Sequence, residues 1–196
     1  DNPFKKKEVR QALYQAIDIE AIKKKVMRGL SEPAGIITFP GVNGYTKDLD
    51  KRLPYDVNAA KQLLADAGYP NGFDVELRCP NDRYVNDEAI CTAVVGMLGK
   101  IGVNVNLFAQ TKSKHFKELK DNQGDFYMLG WGVPTLDSHY VFHYLYESGA
   151  SWNKVNFSNS EVDAAIRVME GEVDLDKRNA AIANAWKIVK DDISYL

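Results

Sequence analysis

Cysteine is scarce in this sequence. Cys79 and Cys91 are the only two among 196 residues, and no cluster of cysteine and histidine accompanies them. This scarcity excludes a zinc framework and a small fold held together by several disulfides. It leaves room for one disulfide between Cys79 and Cys91, with two buried thiols as the alternative.

The sequence also lacks long apolar runs and a strong charge of either sign. No stretch approaches the roughly 20 apolar residues that a membrane span needs. The first residues have neither the basic nor the apolar region of a signal peptide, so we expect a mature or excised chain. The formal net charge is only −2, which gives no field that would attract nucleic acid or an anionic membrane. We therefore predict neither of these as a partner.

Signatures of catalysis and of cofactor binding are missing as well. There is no nucleophile elbow, no phosphate-binding glycine loop and no dinucleotide fingerprint. His139 and His143 stand four residues apart near Asp137, but no glutamate follows His139 as it does in zinc proteases. We predict no catalytic residues, no metal site and no cofactor. The alternative is an α/β enzyme domain that uses Asp137, His139 and His143.

The hydrophobic pattern indicates an α/β fold. Hydrophobic residues make up 45% of the chain, enough for one sizeable core. From residue 73 onwards, strand and helix patterns alternate as β-α-β-α-β, which predicts a mostly parallel sheet flanked by helices. Further helices are predicted before and after this region, with Asp18, Asp56 and Ser160 as N-caps. The predicted strands are 73–79, 103–109 and 126–129, and the predicted helices include 57–67, 86–100, 113–122, 138–146, 161–170 and 176–190.

The third predicted strand ends in a loop that is a candidate for ligand binding. Gly130-Trp131-Gly132-Val133-Pro134 cannot continue as a regular strand or helix. In open α/β sheets, ligands lie beyond the carboxyl ends of parallel strands. We therefore predict that Trp131 forms a flat apolar wall and that the backbones of Gly132 and Val133 pair with an extended ligand. The alternative is that Trp131 only fills the core or packs between lobes.

The loop after the first predicted strand is a second candidate. It offers mixed donors and acceptors in Asn81, Arg83, Tyr84 and Asn86, beside a helix N-terminus that favours an anion. We predict that it binds a ligand carboxylate or peptide carbonyls, with Arg83 supplying the charge. The alternative is a simple turn at Asn81 and Asp82, with Asn86 capping the following helix.

An ordered set of short motifs runs through the chain. The motifs are Pro3-Phe4, Val9-Arg10-Gln11-Ala12-Leu13, Ala16-Ile17-Asp18, Tyr55-Asp56, Ala60-Lys61, Leu63-Leu64, Ala67-Gly68-Tyr69-Pro70-Asn71-Gly72-Phe73, Ile101-Gly102-Val103, Gly124-Asp125-Phe126, Gly130-Trp131 and Ser158-Asn159-Ser160-Glu161-Val162-Asp163. In combination this set resembles the extracytoplasmic solute-binding proteins of oligopeptide and dipeptide ABC transporters. The resemblance covers essentially the whole chain. Members of that family are longer and have two lobes that close on the ligand, so the resemblance implies that residues 1–196 are one C-terminal-type lobe of a periplasmic-binding-protein fold.

The resemblance also implies a function. Members of the family hold an extended peptide with the residues after the Gly-Trp pair and deliver it to membrane permease subunits. In these members a carboxylate, which stands a few residues beyond the Trp, binds the α-ammonium group of the peptide. At the matching position this chain has Pro134, and the nearest acid is Asp137. Either Asp137 takes over this role or the ligand lacks a free amino terminus. We expect a monomeric periplasmic lobe for peptides or peptide-like solutes, with a nickel complex, haem, an opine or a sugar-like solute as alternatives.

Overall fold

The computed structural model describes residues 2–196, and these fall into two compact units. Unit 1 contains the chain up to Pro33, then Leu53–Gly130, and Leu196. Unit 2 contains Ala34–Arg52 and Trp131–Tyr195. The chain thus crosses from one unit to the other twice within the segment 30–55, again between Gly130 and Trp131, and once more at Leu196. That residues 1–196 are a single lobe stays a prediction.

Unit 1 is built on a three-stranded parallel sheet. The strands are β1 (Phe73–Pro80), β2 (Val103–Gln110) and β3 (Phe126–Tyr127), in the order β2-β1-β3. This arrangement confirms the predicted parallel α/β fold. β3 is shorter than the predicted strand 126–129, because regular pairing with β1 extends over two residues only. One further hydrogen bond, from the Met128 amide to the Arg78 carbonyl, follows before the chain leaves the sheet.

Helices cover this sheet and enclose the core of unit 1. Asp18 and Asp56 cap helices as predicted, each through a side-chain oxygen that accepts a backbone N–H three residues later. Buried apolar residues from α1, α3, α4, β1 and β2 form one continuous cluster. The helices are α1 (Lys7–Ala16), α2 (Ile19–Ala21) followed by a π-helical turn (Ile22–Val26), α3 (Val57–Asp66), α4 (Asp87–Gly99) and α5 (Lys112–Lys120).

The two cysteines lie in this core. The structure joins Cys79 at the end of β1 to Cys91 on α4 in a disulfide, and both residues are buried. The Met128 sulfur packs against them, 3.6 Å from the Cys91 sulfur and 3.9 Å from the Cys79 sulfur. The bond thus ties α4 to the central strand beneath the loop that joins them.

Unit 2 is helical. Its helices are α6 (His139–Val141), which continues as a π-helical turn (Phe142–Tyr146), α7 (Ser160–Gly171) and α8 (Leu175–Asp192). The helix predicted over 138–146 therefore exists but widens in its second half. The Trp186 indole donates to Ser138 Oγ at 3.0 Å, and Ser138 Oγ donates to the Asn43 carbonyl at 2.6 Å. This chain of hydrogen bonds fastens the segment Ala34–Arg52 to α8.

The start of α7 corrects one prediction. Its cap is Asn159 rather than Ser160, because Asn159 Oδ1 accepts from the amides of Glu161 and Val162 at 2.9 and 3.2 Å. Asp174 caps α8 in the same manner. Among residues 2–196, none of the helices combines the length and the apolar character needed to cross a membrane.

Candidate functional site

At the carboxyl edge of the sheet in unit 1, the loop after β1 meets the end of β3. The Tyr84 hydroxyl donates to the Gly130 carbonyl at 3.4 Å. A side chain at Gly130 would place its Cβ 2.6 Å from Tyr84 Cε1, which is closer than two carbon atoms can approach. Glycine at position 130 therefore allows the Tyr84 ring to lie against the end of the strand.

The N-terminus of α4 already holds an anion of the protein itself. Both the Arg83 and Tyr84 amides donate to Asp87 Oδ2 at 2.9 Å, and the Glu88 amide donates to Asp87 Oδ1 at 2.9 Å. Burial alone would raise the pKa of Asp87, but these backbone donors outweigh it and hold the pKa below its ordinary value. The Asp87 carboxylate therefore occupies the amides of Arg83, Tyr84 and Glu88. That this loop and helix end bind a ligand anion stays a prediction.

The other polar residues of this loop lie on the surface of unit 1. Arg83 is exposed, and its guanidinium carbon lies 5.2 Å from the centre of the Tyr84 ring. Asn86 adopts a left-handed backbone conformation and donates to the Val26 carbonyl at 3.0 Å, so its side chain does not cap α4 as the alternative reading required. Asn81 is exposed, and its amide donates to the Gln110 carbonyl at 2.9 Å. The loop thus presents a cation and an amide at the edge of the sheet.

In unit 2, Trp131 belongs to an aromatic cluster that also contains Tyr140, Tyr144 and Trp152. The centres of these three rings lie 6.0, 5.9 and 6.0 Å from that of Trp131. The Trp131 indole is half-buried, and within residues 2–196 its buried Nε1 meets no hydrogen-bond acceptor. Burying a donor without an acceptor is unfavourable, so this N–H lacks the partner that a buried donor needs within the described residues.

The residues after Trp131 divide between surface and interior. Gly132 and Pro134 are exposed, and the space around Gly132 is open. Val133 is buried, and its carbonyl accepts from the Leu136 amide at 3.1 Å. Val133 therefore anchors the loop through its side chain, and Gly132 leaves the more accessible backbone.

Asp137 is held firmly inside unit 2. Its carboxylate accepts from both terminal nitrogens of Arg178, at 2.8 and 2.9 Å, and from Asn43 Nδ2 at 3.0 Å. It also accepts from the His139 amide at 2.9 Å. Burial would raise its pKa, but the Arg178 guanidinium, the His139 amide and Asn43 together hold the pKa below its ordinary value. Sequence reasoning missed both side-chain partners, and its assignment of Asp137 to the ligand stays a prediction.

Unit 2 also contains a group of side chains that suits a metal ion. His139 Nε2, His143 Nδ1 and a carboxylate oxygen of Glu170 all lie within 4.8 Å of one another. The sequence predicted no metal site because no glutamate follows His139 as it does in zinc proteases. Glu170 lies on a different helix, and sequence reasoning did not connect it to the two histidines. Only the packing of α7 brings the third ligand atom to the pair.

Polar side chains beyond the carboxyl ends of parallel strands, as in unit 1, are found where α/β proteins bind ligands. Residues 1–153 match the family described as bacterial extracellular solute-binding proteins, family 5, middle part, and the chain belongs to this family. This assignment confirms the family that the short motifs resemble. It also confirms, for the family, solute binding rather than catalysis.

Individual relatives agree with this assignment. The chain is 29% identical to heme-binding protein A of Haemophilus influenzae over an alignment of 202 positions, which covers 99% of this chain and 36% of the relative. It is 30% identical to the dipeptide-binding protein of Escherichia coli over an alignment of 159 positions, which covers 80% of this chain and 30% of the relative. The structure of AppA from Bacillus subtilis in complex with a nonapeptide matches with a TM-score of 0.87 and 26% identity, over 100% of this chain and 42% of that one. The chain thus spans about a third of the curated relatives it matches.

Proposed function

We propose that this chain is part of the substrate-binding component of a bacterial ABC importer. In this proposal the protein binds peptides or peptide-like solutes in the periplasm as a monomer and delivers them to the permease subunits. The family assignment and the similarity to dipeptide-binding and oligopeptide-binding proteins support the substrate class. The observation that carries the proposal is the buried, unmatched N–H of Trp131 beside an exposed backbone.

An extended peptide offers what this loop needs. Its carbonyl oxygens are acceptors for Trp131 Nε1, and its side chains can pack on the half-buried indole. Gly132 is exposed and has no side chain, so a ligand backbone can approach closely there. The contacts would involve main-chain groups and a flat apolar wall, which suits ligands of varied sequence.

We assign the other predicted residues to different parts of the function. Arg83 supplies an exposed positive charge for a ligand carboxylate, and Asn81, Tyr84 and Asn86 stand beside it on the same loop of unit 1. Asp137 orients the loop that carries Trp131, since four protein donors already occupy its carboxylate. The exposed Pro134 borders the ligand without supplying charge.

A second candidate function is the binding of a non-peptide solute. Pro134 stands where members of the family carry the acid for a peptide amine, and Asp137 is engaged by Arg178. A ligand without a free amino terminus would not need that acid. The relative in Haemophilus influenzae is named as a heme-binding protein, which is consistent with a wider range of solutes.

Native mass spectrometry of the full-length protein, purified gently from periplasm, distinguishes these two functions. We expect a ladder of short peptides to be released on denaturation. A single non-peptide mass would instead establish the second function. If no small molecule co-purifies, isothermal titration calorimetry with a mixed tripeptide library distinguishes the same two functions. A lack of peptide binding in that experiment would contradict the proposal.

Substitution of Trp131 tests the observation that carries the proposal. Trp131→Phe keeps an aromatic ring and removes the N–H, so we expect peptide affinity to fall by about tenfold, the value of one hydrogen bond. Trp152→Phe is the matched control, because it changes a neighbouring ring of the same cluster. Equal affinities for the wild type and Trp131→Phe would show that the indole N–H does not contact the ligand.

A further inference from the structure

We propose that His139, His143 and Glu170 form a binding site for a divalent transition metal ion of the zinc type. The site lies within unit 2 and uses none of the residues proposed to contact the peptide, although the His143 ring packs on Tyr144 of the Trp131 cluster. Two imidazoles and one carboxylate are a ligand set that zinc uses in proteins, with a further position open to water. The proposal depends on neither the identity of the solute nor the transport function.

The distances among the three ligand atoms suit a metal ion. His139 Nε2 lies 3.5 Å and His143 Nδ1 lies 3.9 Å from Glu170 Oε1, and no pair of the three exceeds 4.8 Å. Ligands of a tetrahedral zinc ion stand about 3.4 Å apart, given bonds of about 2.0–2.1 Å. Side-chain movements of about 1 Å therefore bring all three into coordination. The side chains of His139, His143 and Glu170 are 28%, 41% and 46% exposed, so the site lies near the surface of unit 2.

The ring nitrogens that face Glu170 are buried atoms with unmet hydrogen-bonding capacity. His139 Nε2 and His143 Nδ1 are both inaccessible to solvent and lack a well-aligned hydrogen bond within residues 2–196. His143 Nδ1 lies 2.8 Å from Glu147 Oε2, which adds a second carboxylate beside the site. A buried polar atom without a hydrogen bond is unfavourable, and coordination of a metal would satisfy both nitrogens at once.

The backbone around the site holds its ligands in place. His139 and His143 are four residues apart on consecutive helical turns, and their rings are stacked with centres 5.6 Å apart. Arg178 binds the carboxylate of Asp137, which precedes the first ligand by two residues. The same side chain donates through Nε to the Met169 carbonyl at 2.8 Å, and Met169 precedes the third ligand. Arg178 therefore connects the two segments that carry the ligands, as preorganised metal sites require.

The charges favour a cation. Glu170 and Glu147 place two carboxylates next to the imidazoles, and these charges would neutralise a divalent ion. Hard cations such as Mg²⁺ and Ca²⁺ prefer oxygen ligands throughout, whereas imidazole suits Zn²⁺, Ni²⁺ and Co²⁺. We therefore expect Zn²⁺ to bind and Mg²⁺ not to compete.

Titration of the full-length protein with Zn²⁺ after chelator treatment tests the proposal. We expect His143→Gln and Glu170→Gln each to remove one equivalent of bound zinc or to lower the affinity for zinc by about 100-fold. Glu161→Gln is the matched control, since Glu161 is an exposed glutamate of the same helix outside the site. With Co²⁺ as a probe, the wild type should show a visible absorption spectrum that both site variants lose.

The same variants distinguish a metal site from a cluster that only forms ion pairs between helices. If the cluster only pairs charges, Glu170→Gln lowers the melting temperature equally with and without Zn²⁺, and zinc stoichiometry equals that of the wild type. That result would overturn the proposal. A melting temperature that Zn²⁺ raises in the wild type and in Glu161→Gln, but not in His143→Gln, would support it.

Discussion

Arg178 and Asp137 form a two-pronged ion pair, with Nη1 2.8 Å from Oδ2 and Nη2 2.9 Å from Oδ1. Both side chains are largely buried, 17% and 23% exposed. The pair joins the first turn of α8 to the loop that follows Trp131. A fork of two parallel hydrogen bonds fixes both distance and orientation, so Asp137 acts as the anchor of this loop.

Replacing the planar guanidinium of Arg178 by an ammonium group should weaken the attachment of the Asp137 loop to α8, even though the positive charge is kept. We expect Arg178→Lys to lower the free energy of unfolding by about 2 kcal/mol, because lysine cannot make two parallel hydrogen bonds. Urea denaturation measures the change. Arg167→Lys is the matched control on the exposed face of α7 and should stay within about 0.5 kcal/mol. Equal effects of the two substitutions would contradict the anchoring role.

The same pair predicts how stability depends on pH. The pKa of Asp137 is lowered in the folded protein, so its ionised form contributes stability above the unfolded pKa of about 3.9. That contribution disappears as the pH falls through the lower, folded pKa. The difference in unfolding free energy between the wild type and Asp137→Asn should therefore be constant from pH 5 to 8 and shrink below about pH 4. A difference that persists undiminished to pH 2 would show that the Asp137 charge is not responsible.

The disulfide between Cys79 and Cys91 gives a prediction about redox conditions. The two residues are 12 positions apart, and closing a loop of this length stabilises a protein by about 3 kcal/mol in the chain-entropy model. We expect a reductant to lower the unfolding free energy of the wild type by about that amount. It should not change the unfolding free energy of the double variant Cys79→Ala/Cys91→Ala. Thiol titration under denaturing conditions checks the premise, and two reactive thiols before reduction would refute it.

The contact between Gly130 and Tyr84 predicts a sharp difference between two neighbouring glycines. Gly130→Ala forces a Cβ against the Tyr84 ring and should cost about 1–3 kcal/mol of stability. Gly132→Ala meets open space, so we expect a change within about 0.5 kcal/mol. Replacing Tyr84 by Ala should make Gly130→Ala nearly neutral, and a cost that is independent of Tyr84 would disprove the steric explanation.

Local patterns in the sequence predicted much of the fold. The alternation of strands and helices after residue 73 predicted the parallel sheet, since hydrophobic period and short connections are properties of neighbouring residues. The caps Asp18 and Asp56 were predicted correctly for the same reason, because each bonds an amide three residues away. The cap of α7 was placed one residue late, since Asn159 and Ser160 are both good capping residues.

The sequence by itself determined the family and α/β class of this protein and placed Trp131 on the loop after β3. Only the tertiary structure decided the partners of its polar groups. Asp137 meets Arg178 across 41 residues and Asn43 across 94, and Glu170 reaches His139 from a separate helix. Such contacts depend on how helices pack, which hydrophobic period does not specify. The partners of Asp137 and Glu170 therefore follow from the packing of the helices and not from the local sequence.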